Sequence, residues 1–369
     1  MKTMRGFLLS VLLLFLLNVF GSASAAAAPP AKLVVKNAFI FSMAPAQREP
    51  FRGYLVVAED GSLVAVGAGD PPAVPPSTEV WDAQGRWIIP GFISAHSHLW
   101  QSAYRGLAAD QTLSGWIRAL YTERASRAAP EDFYWFTLHG ALDHLSHGVT
   151  SAYNFAYGGS MRYGFGGAPT PGTDPGEICN ENQFRAEMDS GLRFVHGYQP
   201  GMAGANYSTS EALRSLKSFL DWVATQPKSQ SFLAVMINGA TAFNNTYEQA
   251  KMEAALMKEF NLGNESHYLE PPETQGEERA KFRWFIDSGL LSNRLIFGHF
   301  IHTDAFIIAQ TGRAGASMSW NPLSNGRLAS GVADIPAYLK AGIRVGMGVD
   351  GEASADLADP FENLRTAIR

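Results

Sequence analysis

This chain has almost no cysteine and only a small net charge. It has 369 residues but only one cysteine, Cys179, so no intrachain disulfide can form. A lone cysteine of this kind is typical of a small, buried apolar residue. The formal net charge is −5, and Lys and Arg are scattered along the chain, which argues against a nucleic-acid partner. The hydrophobic share of 46% is enough to bury a large core.

The apolar run nearest the amino terminus is short for a membrane span. It covers residues 7–20, follows Lys2 and Arg5, and precedes small residues at 23–25. This order predicts a cleaved signal peptide over residues 1–25 in a secreted or periplasmic protein, with the mature chain starting near Ala26. No stable membrane span is then expected. Anchoring by an uncleaved signal is the alternative.

Residues 26–86 have the pattern of a small β-domain. Short apolar runs alternate there with turn signals, such as Glu-Asp-Gly at 59–61 and a proline-rich stretch at 71–76. No cluster of His, Cys or paired carboxylates occurs in this region, so we expect it to have a structural role.

Residues 87–369 alternate strand patterns with helix patterns. Eight strands separated by helices over about 280 residues are typical of a (β/α)8 TIM barrel. A doubly wound sheet is the alternative, but no Gly-rich phosphate loop follows the first strand. The eight candidate strands are 87–95, 149–155, 192–197, 232–237, 265–269, 295–300, 316–320 and 343–349.

Two histidines, His96 and His98, stand at the end of the first candidate strand. Side chains at positions i and i+2 of a strand share one face, so both imidazoles leave the strand together. Two neutral imidazoles can form half of the ligand set of a borderline divalent metal. On its own, such a pair is more often an accident of composition or a solvated strand end.

Polar residues also end other candidate strands. His267 lies at the end of the fifth strand with Glu270 three residues on, His299 ends the sixth and Asp350 ends the eighth. In a barrel, the carboxyl ends of all strands meet at one face, where the chemistry takes place. With the first histidine pair, His267 and Asp350 would give a metal four ligands. Glu270 and His299 then remain beside it for proton transfer.

These motifs resemble the amidohydrolase superfamily, and in particular its branch of cytosine, guanine and S-adenosylhomocysteine deaminases and triazine hydrolases. PGFISAHSHLWQSAYRGLAADQTLSGWI, at 90–117, resembles the first-strand signature of that branch, and SHYLEPPET, at 266–274, resembles its HxxE element. GHFIH, at 298–302, resembles the sixth-strand histidine motif, and 321–351 resemble the last two strands.

The resemblance implies one divalent metal, zinc or alternatively iron, because nothing matches the bridging lysine of the two-metal members. It also implies a small β-sandwich-like domain before the barrel. That domain would lack its usual C-terminal strands, since the chain ends soon after the eighth strand. By position, the implied metal ligands are His96, His98, His267 and Asp350, the proton shuttle is Glu270, and the polarising residue is His299.

The implied reaction is hydrolysis of a carbon–nitrogen bond other than a peptide bond, namely deamination of a heterocyclic or small nitrogenous substrate by metal-activated hydroxide. A metal such as zinc lowers the pKa of water toward about 7. Asp350 would take the proton of the water, Glu270 would deliver one to a ring nitrogen or leaving group, and His299 would stabilise the developing charge. The alternatives are chlorohydrolase-like loss of halide or amine from a ring carbon and a truncated, inactive metal-binding homologue.

Five further residues are candidate substrate contacts. Trp100, Gln101 and Arg105 follow the first histidine pair, and structural or surface roles are equally open for them. His196 ends the third candidate strand. Asn321 ends the seventh, although Asn before Pro is as often turn chemistry. The partner expected is a small-molecule substrate, and a homo-oligomer stays open.

Two features depart from the pattern. The fifth strand, NESHYLE, is polar for a buried barrel strand, although His267 depends on it. After the fourth strand, where many relatives have a histidine, the chain reads NGATAFNN at 238–245. No substrate can therefore be borrowed from a named deaminase.

Overall fold

The computed structural model describes residues 31–156, 175–201 and 207–368. The signal-peptide prediction for residues 1–25 lies outside these ranges. The chain divides into two compact units between Pro90 and Gly91. In the described part of the chain, no helix combines the length and apolar character that a membrane crossing requires.

The first unit contains a five-stranded sheet. Strand β1 pairs antiparallel with β2, which pairs antiparallel with β3, while β4 and β5 each run parallel to β1. Residues 31–90 form this single sheet, so the second layer of the expected sandwich is not among them. The strands are β1 (Ala31–Ile40), β2 (Phe51–Ala58), β3 (Leu63–Ala68), β4 (Glu79–Asp82) and β5 (Trp87–Ile88).

The prediction for the first barrel strand, 87–95, begins too early in the chain. Trp87–Ile88 belongs to the first sheet, where the N–H of Phe41 donates to the carbonyl of Ile88 at 2.9 Å. Pro90, which has no N–H to donate, separates this strand from the first barrel strand, which begins at Phe92. The unit boundary therefore falls four residues later than the expected boundary at 86/87.

The second unit is a barrel of eight parallel strands, as predicted. Each strand pairs with the next one along the chain, in the order β6 to β13. A bridge between Ser97 and Asp350 joins the last strand region to the first, where the N–H of Asp350 donates to the carbonyl of His96 at 3.0 Å. The strands are β6 (Phe92–Ser97), β7 (Val149–Phe155), β8 (Arg193–Tyr198), β9 (Phe232–Gly239), β10 (Asn264–Tyr268), β11 (Leu295–His299), β12 (Ser317–Trp320) and β13 (Arg344–Met347).

Helices alternate with the barrel strands, and their ends follow local sequence signals. Ser208 and Glu211 form a capping box before the fourth helix, and Gly315 ends the seventh in a left-handed conformation. The helices are α1 (Leu113–Ile117), α2 (Asp132–Ser146), α3 (Pro175–Ser190), α4 (Thr209–Thr225), α5 (Glu248–Phe260), α6 (Gln275–Asp287), α7 (Ala305–Ala314), α8 (Pro322–Arg327), α9 (Ile335–Lys340), α10 (Glu352–Ala355) and α11 (Pro360–Ile368).

Strand β10 is completely buried despite its polar sequence, and it has a polar side chain with a partner on each face. On the helix side, the amide nitrogen of Asn264 donates to Glu253 Oε2 at 3.0 Å. On the barrel side, Glu265 Oε1 lies 2.7 Å from His96 Nδ1. The polar residues therefore do not exclude this strand from the barrel, and they hold it between α5 and β6.

Candidate metal centre and active site

Four of the sequence-predicted residues converge at the carboxyl end of the barrel. His98 Nε2 lies 3.2 Å from His267 Nε2 and 3.3 Å from Asp350 Oδ1. His96 Nε2 lies 3.4 Å from the same Asp350 oxygen. None of the four residues is more than 4% exposed. Strands β6 and β10 and the residue after β13 thus bring three imidazoles and one carboxylate together.

Two of these separations are close to the ligand spacing of a tetrahedral metal site. A tetrahedron with metal–ligand bonds of about 2.0–2.1 Å has edges of about 3.3–3.4 Å between ligand atoms. His98 Nε2 lies at about such a spacing from both His267 Nε2 and Asp350 Oδ1. Three nitrogens and one carboxylate oxygen suit zinc, and they also suit iron.

The opposite ring nitrogens are held by acceptors, which aim the Nε2 atoms at the cluster. His96 Nδ1 lies 2.7 Å from Glu265 Oε1, and both side chains are fully buried. His98 Nδ1 donates to the carbonyl of Phe155 at 3.0 Å. A proton on Nδ1 leaves a lone pair on Nε2, which is the form that binds metal.

Burial and the nearby carboxylates set the charges of this cluster. Burial lowers the pKa of His98 and holds the pKa of His267 well below its usual range. Burial acts in the same direction on His96, but the carboxylates of Glu265 and Asp350 outweigh it and raise the pKa of His96 to about 10. Burial alone would raise the pKa of Asp350, yet hydrogen bonds from His96 and His98 hold it well below its usual range. The carboxylates of Glu265 and Asp350 favour a proton on His96. They would equally favour a metal cation bound to His96 instead of that proton.

Glu270 and His299 form a second pair beside the cluster. Glu270 Oε2 lies 3.5 Å from His299 Nε2, while Glu270 Oε1 accepts a hydrogen bond from Ser330 Oγ at 3.2 Å. His299 Nδ1 donates to Asn325 Oδ1 at 2.7 Å, which leaves Nε2 facing Glu270. Burial raises the pKa of Glu270, so its carboxyl group is closer to the neutral form that can donate a proton.

His299 is close to the cluster as well as to Glu270. Its ring nitrogen groups with those of His96 and His267, all within 4.8 Å of one another. His299 and Asp350 have positive φ angles of 65° and 62°, which are uncommon for residues with a side chain. Such backbone positions often occur at functional sites.

A pocket of about 260 Å³ opens onto these groups. Its described lining combines the polar cluster with a largely apolar wall. The polar groups are His98, His267, Glu270, His299 and Asp350, and the remaining lining residues are Leu113, Trp116, Ile117, Tyr121, Gln199, Ala240, Phe243 and Leu328.

The three candidate contacts from the first loop do not line this pocket. Trp100 is buried, with its ring centroid 5.6 Å from that of Tyr121, and Gln101 Nε2 donates to the Tyr121 hydroxyl at 2.9 Å. These two residues therefore lie behind a lining residue. Arg105 Nε donates to Glu352 Oε2 at 3.1 Å, and this ion pair ties the first loop to helix α10.

Of the other two candidate contacts, His196 lies away from the pocket and Asn321 lies next to a site residue. His196 is fully buried between β8 and the helices, where its Nδ1 lies 2.8 Å from Glu187 Oε2 and its ring centroid lies 5.2 Å from that of Phe219. It does not line the pocket, whereas Gln199, three residues later, does. The Asn321 amide nitrogen lies 3.4 Å from His299 Nδ1, so Asn321 does contact a site residue.

Sequence reasoning missed Glu265, Gln199 and Phe243. Glu265 had a usable signal, because it stands two residues before His267 on a strand and therefore shares its face. Gln199 and Phe243 follow the ends of β8 and β9 in loops, where residue type and spacing do not indicate which way a side chain points.

Comparisons with known proteins found a family match, related sequences and a similar fold. Residues 87–369 match the model of the amidohydrolase family. A 5'-deoxyadenosine deaminase of Methanosarcina barkeri is 26% identical over 343 residues, which cover 91% of this chain and 73% of that protein. A 5-methylthioadenosine/S-adenosylhomocysteine deaminase of Halothermothrix orenii is 23% identical over 342 residues, with the same two coverages of 91% and 73%.

A solved structure shares the fold. The atrazine chlorohydrolase of Arthrobacter aurescens, complexed with zinc, superposes with a TM-score of 0.71 at 19% identity. The match covers 91% of this chain and 76% of that one. Likeness at this identity shows the fold alone.

Proposed function

The chain belongs to the amidohydrolase family and is a hydrolase of carbon–nitrogen bonds other than peptide bonds, and we propose that its reaction is the deamination of a small heterocycle. One observation carries the proposal. His98 Nε2 lies 3.2 Å from His267 Nε2 and 3.3 Å from Asp350 Oδ1, and the Glu270–His299 pair lines the same pocket.

Four residues would hold one divalent metal, with zinc favoured and iron as the alternative. The chemistry that such a metal supplies when bound is Lewis acidity, which makes water reactive near neutral pH. The ligands would be His96, His98, His267 and Asp350.

The remaining steps concern the chain's own residues. Asp350, whose Oδ2 accepts a hydrogen bond from Ser354 Oγ at 3.1 Å, is ionised and can accept a proton from water. Glu270 delivers a proton to a ring nitrogen or to the leaving amine. His299, oriented by Asn325, faces the reacting group with Nε2 and stabilises charge that develops there.

The position of Glu270 in the pocket lining suits loss of an amine. An amine leaves readily only after it gains a proton, whereas chloride leaves without one. Burial raises the pKa of Glu270, and this carboxyl faces the pocket. A carboxyl group in that position can protonate a departing amine, whereas its protonation of a ring nitrogen would serve either reaction.

The test is an assay of the purified, zinc-loaded chain on amino-substituted purines, pyrimidines and triazines, with ammonia release as the readout. Matched chloro-substituted rings serve as the control for halide loss. Ammonia release with slower chloride release supports the proposal. Chloride release alone would favour the chlorohydrolase alternative, and metal binding without any turnover would favour the inactive homologue.

Export is a separate part of the proposal, and the sequence pattern of residues 1–25 supports it. Amino-terminal sequencing of protein recovered from outside the cytoplasm should give a chain that starts near Ala26. Protein that retains Met1 and sediments with membranes would favour the uncleaved anchor.

A further inference from the structure

The motif GHFIH, at 298–302, contains a second histidine that the proposed mechanism does not use. His302 lies three residues after His299, in the loop between β11 and α7. Its ring Nε2 donates to the carbonyl of Ser330 at 2.7 Å. Its backbone N–H donates to the carbonyl of Leu269 at 3.1 Å. His302 therefore joins the loop after β10 to the loop after α8.

Each of these two loops carries one partner of a buried hydrogen bond. Glu270 follows Leu269 directly, and Ser330 Oγ donates to Glu270 Oε1 at 3.2 Å. Glu270 is only 5% exposed and Ser330 only 1% exposed, so water competes little for this hydrogen bond. The bond holds Oε1 and leaves Oε2 directed toward His299 Nε2, 3.5 Å away.

The segment 325–330 also orients His299. Asn325 Oδ1 accepts a hydrogen bond from His299 Nδ1 at 2.7 Å, and the carbonyl of the same asparagine accepts the N–H of Ser330 at 2.8 Å. One short segment thus sets the positions of both members of the Glu270–His299 pair. Whatever holds this segment in place also keeps the pair aligned.

The backbone next to Ser330 is shaped for the His302 ring. Gly331 has a φ of 116°, which residues with a side chain rarely adopt. A Cβ atom at this position would lie 3.2 Å from Cε1 of the His302 ring, which is a tight contact. The glycine therefore lets the ring reach the Ser330 carbonyl. The backbone of His302 is held as well, because Arg279 Nε donates to its carbonyl at 2.7 Å.

We propose that His302 is a positioning residue for Glu270. It holds the segment that contains Ser330, and Ser330 holds the Glu270 carboxyl in the orientation that faces the reacting group. Neither His302 nor Ser330 is among the described residues that line the pocket, so both act through Glu270. The inference rests on the proposed function for the proton that Glu270 delivers.

A misaligned general acid has a specific kinetic signature. Proton transfer becomes slower, because its rate depends on the exact placement of the donor. The contacts that bind the substrate and the metal stay in place. The expected result is therefore a lower kcat with little change in KM or in zinc content.

The experiment measures kcat and KM for ammonia release by the zinc-loaded chain, with the amino-substituted ring that the wild type turns over fastest. His302→Phe keeps a ring but loses the donor, so kcat should fall about tenfold while KM stays within about twofold. His302→Gln, whose amide nitrogen can take the place of Nε2, should restore most of kcat. His139→Phe, at an exposed position of α2, is the matched control and should keep wild-type kcat.

A double-mutant cycle separates this chain of contacts from a general loosening of the fold. Ser330→Ala removes the hydroxyl that contacts Glu270 and should lower kcat about tenfold. Because His302 acts through Ser330, adding His302→Phe to Ser330→Ala should cause little further loss. Two independent effects would instead multiply to about 100-fold.

Three results would overturn the inference: wild-type kcat in folded His302→Phe, multiplied losses in the double variant, or a His302→Gln variant as slow as His302→Phe. Far-ultraviolet circular dichroism verifies folding. If His302→Phe does not fold, His302→Asn takes its place in every comparison, because its shorter amide does not reach the position of Nε2.

Failure of the proposed function has a different signature, namely a wild type that releases no ammonia from any ring. The inference is then tested on the carboxyl group itself. In protein labelled with carbon-13 at the glutamate carboxyl carbon, the Glu270 resonance is the one that Glu270→Gln removes. It should shift in Ser330→Ala and in His302→Phe and return to the wild-type position in His302→Gln. An unshifted resonance in the first two variants would overturn the inference.

Discussion

His96 Nδ1 lies 2.7 Å from Glu265 Oε1, and neither side chain has any exposed surface. The two residues are 169 positions apart in the chain. Strand β10 thus contributes His267 to the cluster and, two residues earlier, the carboxylate that orients a histidine of β6. The geometry of the candidate metal site therefore depends on how these two strands face each other across the barrel.

We predict that Glu265→Gln weakens zinc binding by about 10- to 100-fold, the usual cost of losing a carboxylate that supports a metal ligand. The glutamine keeps the size of the side chain but loses the negative charge that favours a cation near His96. Competition with a chromophoric chelator measures the change. The control is Glu187→Gln, an equally buried glutamate on α3 that pairs with His196 outside the pocket lining and should keep wild-type affinity. Equal affinities in all three proteins would contradict the orienting role of Glu265.

Removing a metal ligand should weaken zinc binding more than Glu265→Gln does. In His96→Ala or Asp350→Ala, we expect bound zinc to fall from about one equivalent per chain to a small fraction of it, because a ligand atom is lost from a four-ligand site. Elemental analysis after dialysis provides the measurement. His147→Ala, which changes a partly exposed histidine of the α2 C-terminus, is the control and should retain the metal. Full metal content in folded Asp350→Ala would remove this residue from the ligand set.

Glu270→Gln should separate metal binding from turnover. The amide cannot donate an acidic proton, so kcat should fall by about 10²- to 10⁴-fold while zinc content is unchanged. Glu259→Gln, at an exposed position of α5, should retain wild-type kcat. Unchanged turnover in Glu270→Gln would show that the proton reaches the substrate by another route.

His144 makes the stability of the protein depend on pH. It is buried on α2, where its Nε2 lies 3.0 Å from Ser97 Oγ, and burial lowers its pKa to about 4. The folded state therefore favours neutral His144. The stability that His144 contributes to the folded state is fully present above its unfolded pKa of about 6.5. It is lost as the pH falls toward the pKa of His144 in the folded state.

Between pH 7 and pH 5, this single group should lower the free energy of unfolding by about 2 kcal/mol. Urea denaturation at both pH values measures the loss in the wild type and in His144→Gln. The variant lacks the titrating imidazole, so its free energy of unfolding should fall by about 2 kcal/mol less than that of the wild type. Since both proteins keep the same metal ligands, the metal contribution cancels in the comparison. Parallel losses in the two proteins would show that folding does not lower the pKa of His144.

Local patterns were sufficient to predict most of the barrel. Runs such as Leu295–His299 are short, apolar and followed by a helix pattern, which is enough to place a parallel strand. The error at Trp87–Ile88 has a physical cause. Those residues look like the start of a buried strand, but their backbone hydrogen bonds go to β1, and sequence periodicity does not reveal the pairing partner.

The candidate site was predictable where the residue type alone was informative. His98 and His267 stand at strand ends, and their side chains meet as expected. His196 also stands near a strand end, but it faces the helices and pairs with Glu187. A shift of one residue along a strand changes the face, and the exact strand end is what sequence patterns predict least well.

The sequence by itself determined the order of strands and helices and the supply of imidazole and carboxylate groups at the strand ends, because periodicity of two and residue chemistry are local properties. Only the tertiary structure decided that His98 and His267 meet at 3.2 Å, that Glu265 supports His96, and that an apolar wall faces them. Those contacts join residues far apart in the chain. They exist because closure of the barrel brings strands β6 and β10 and the end of β13 to one point.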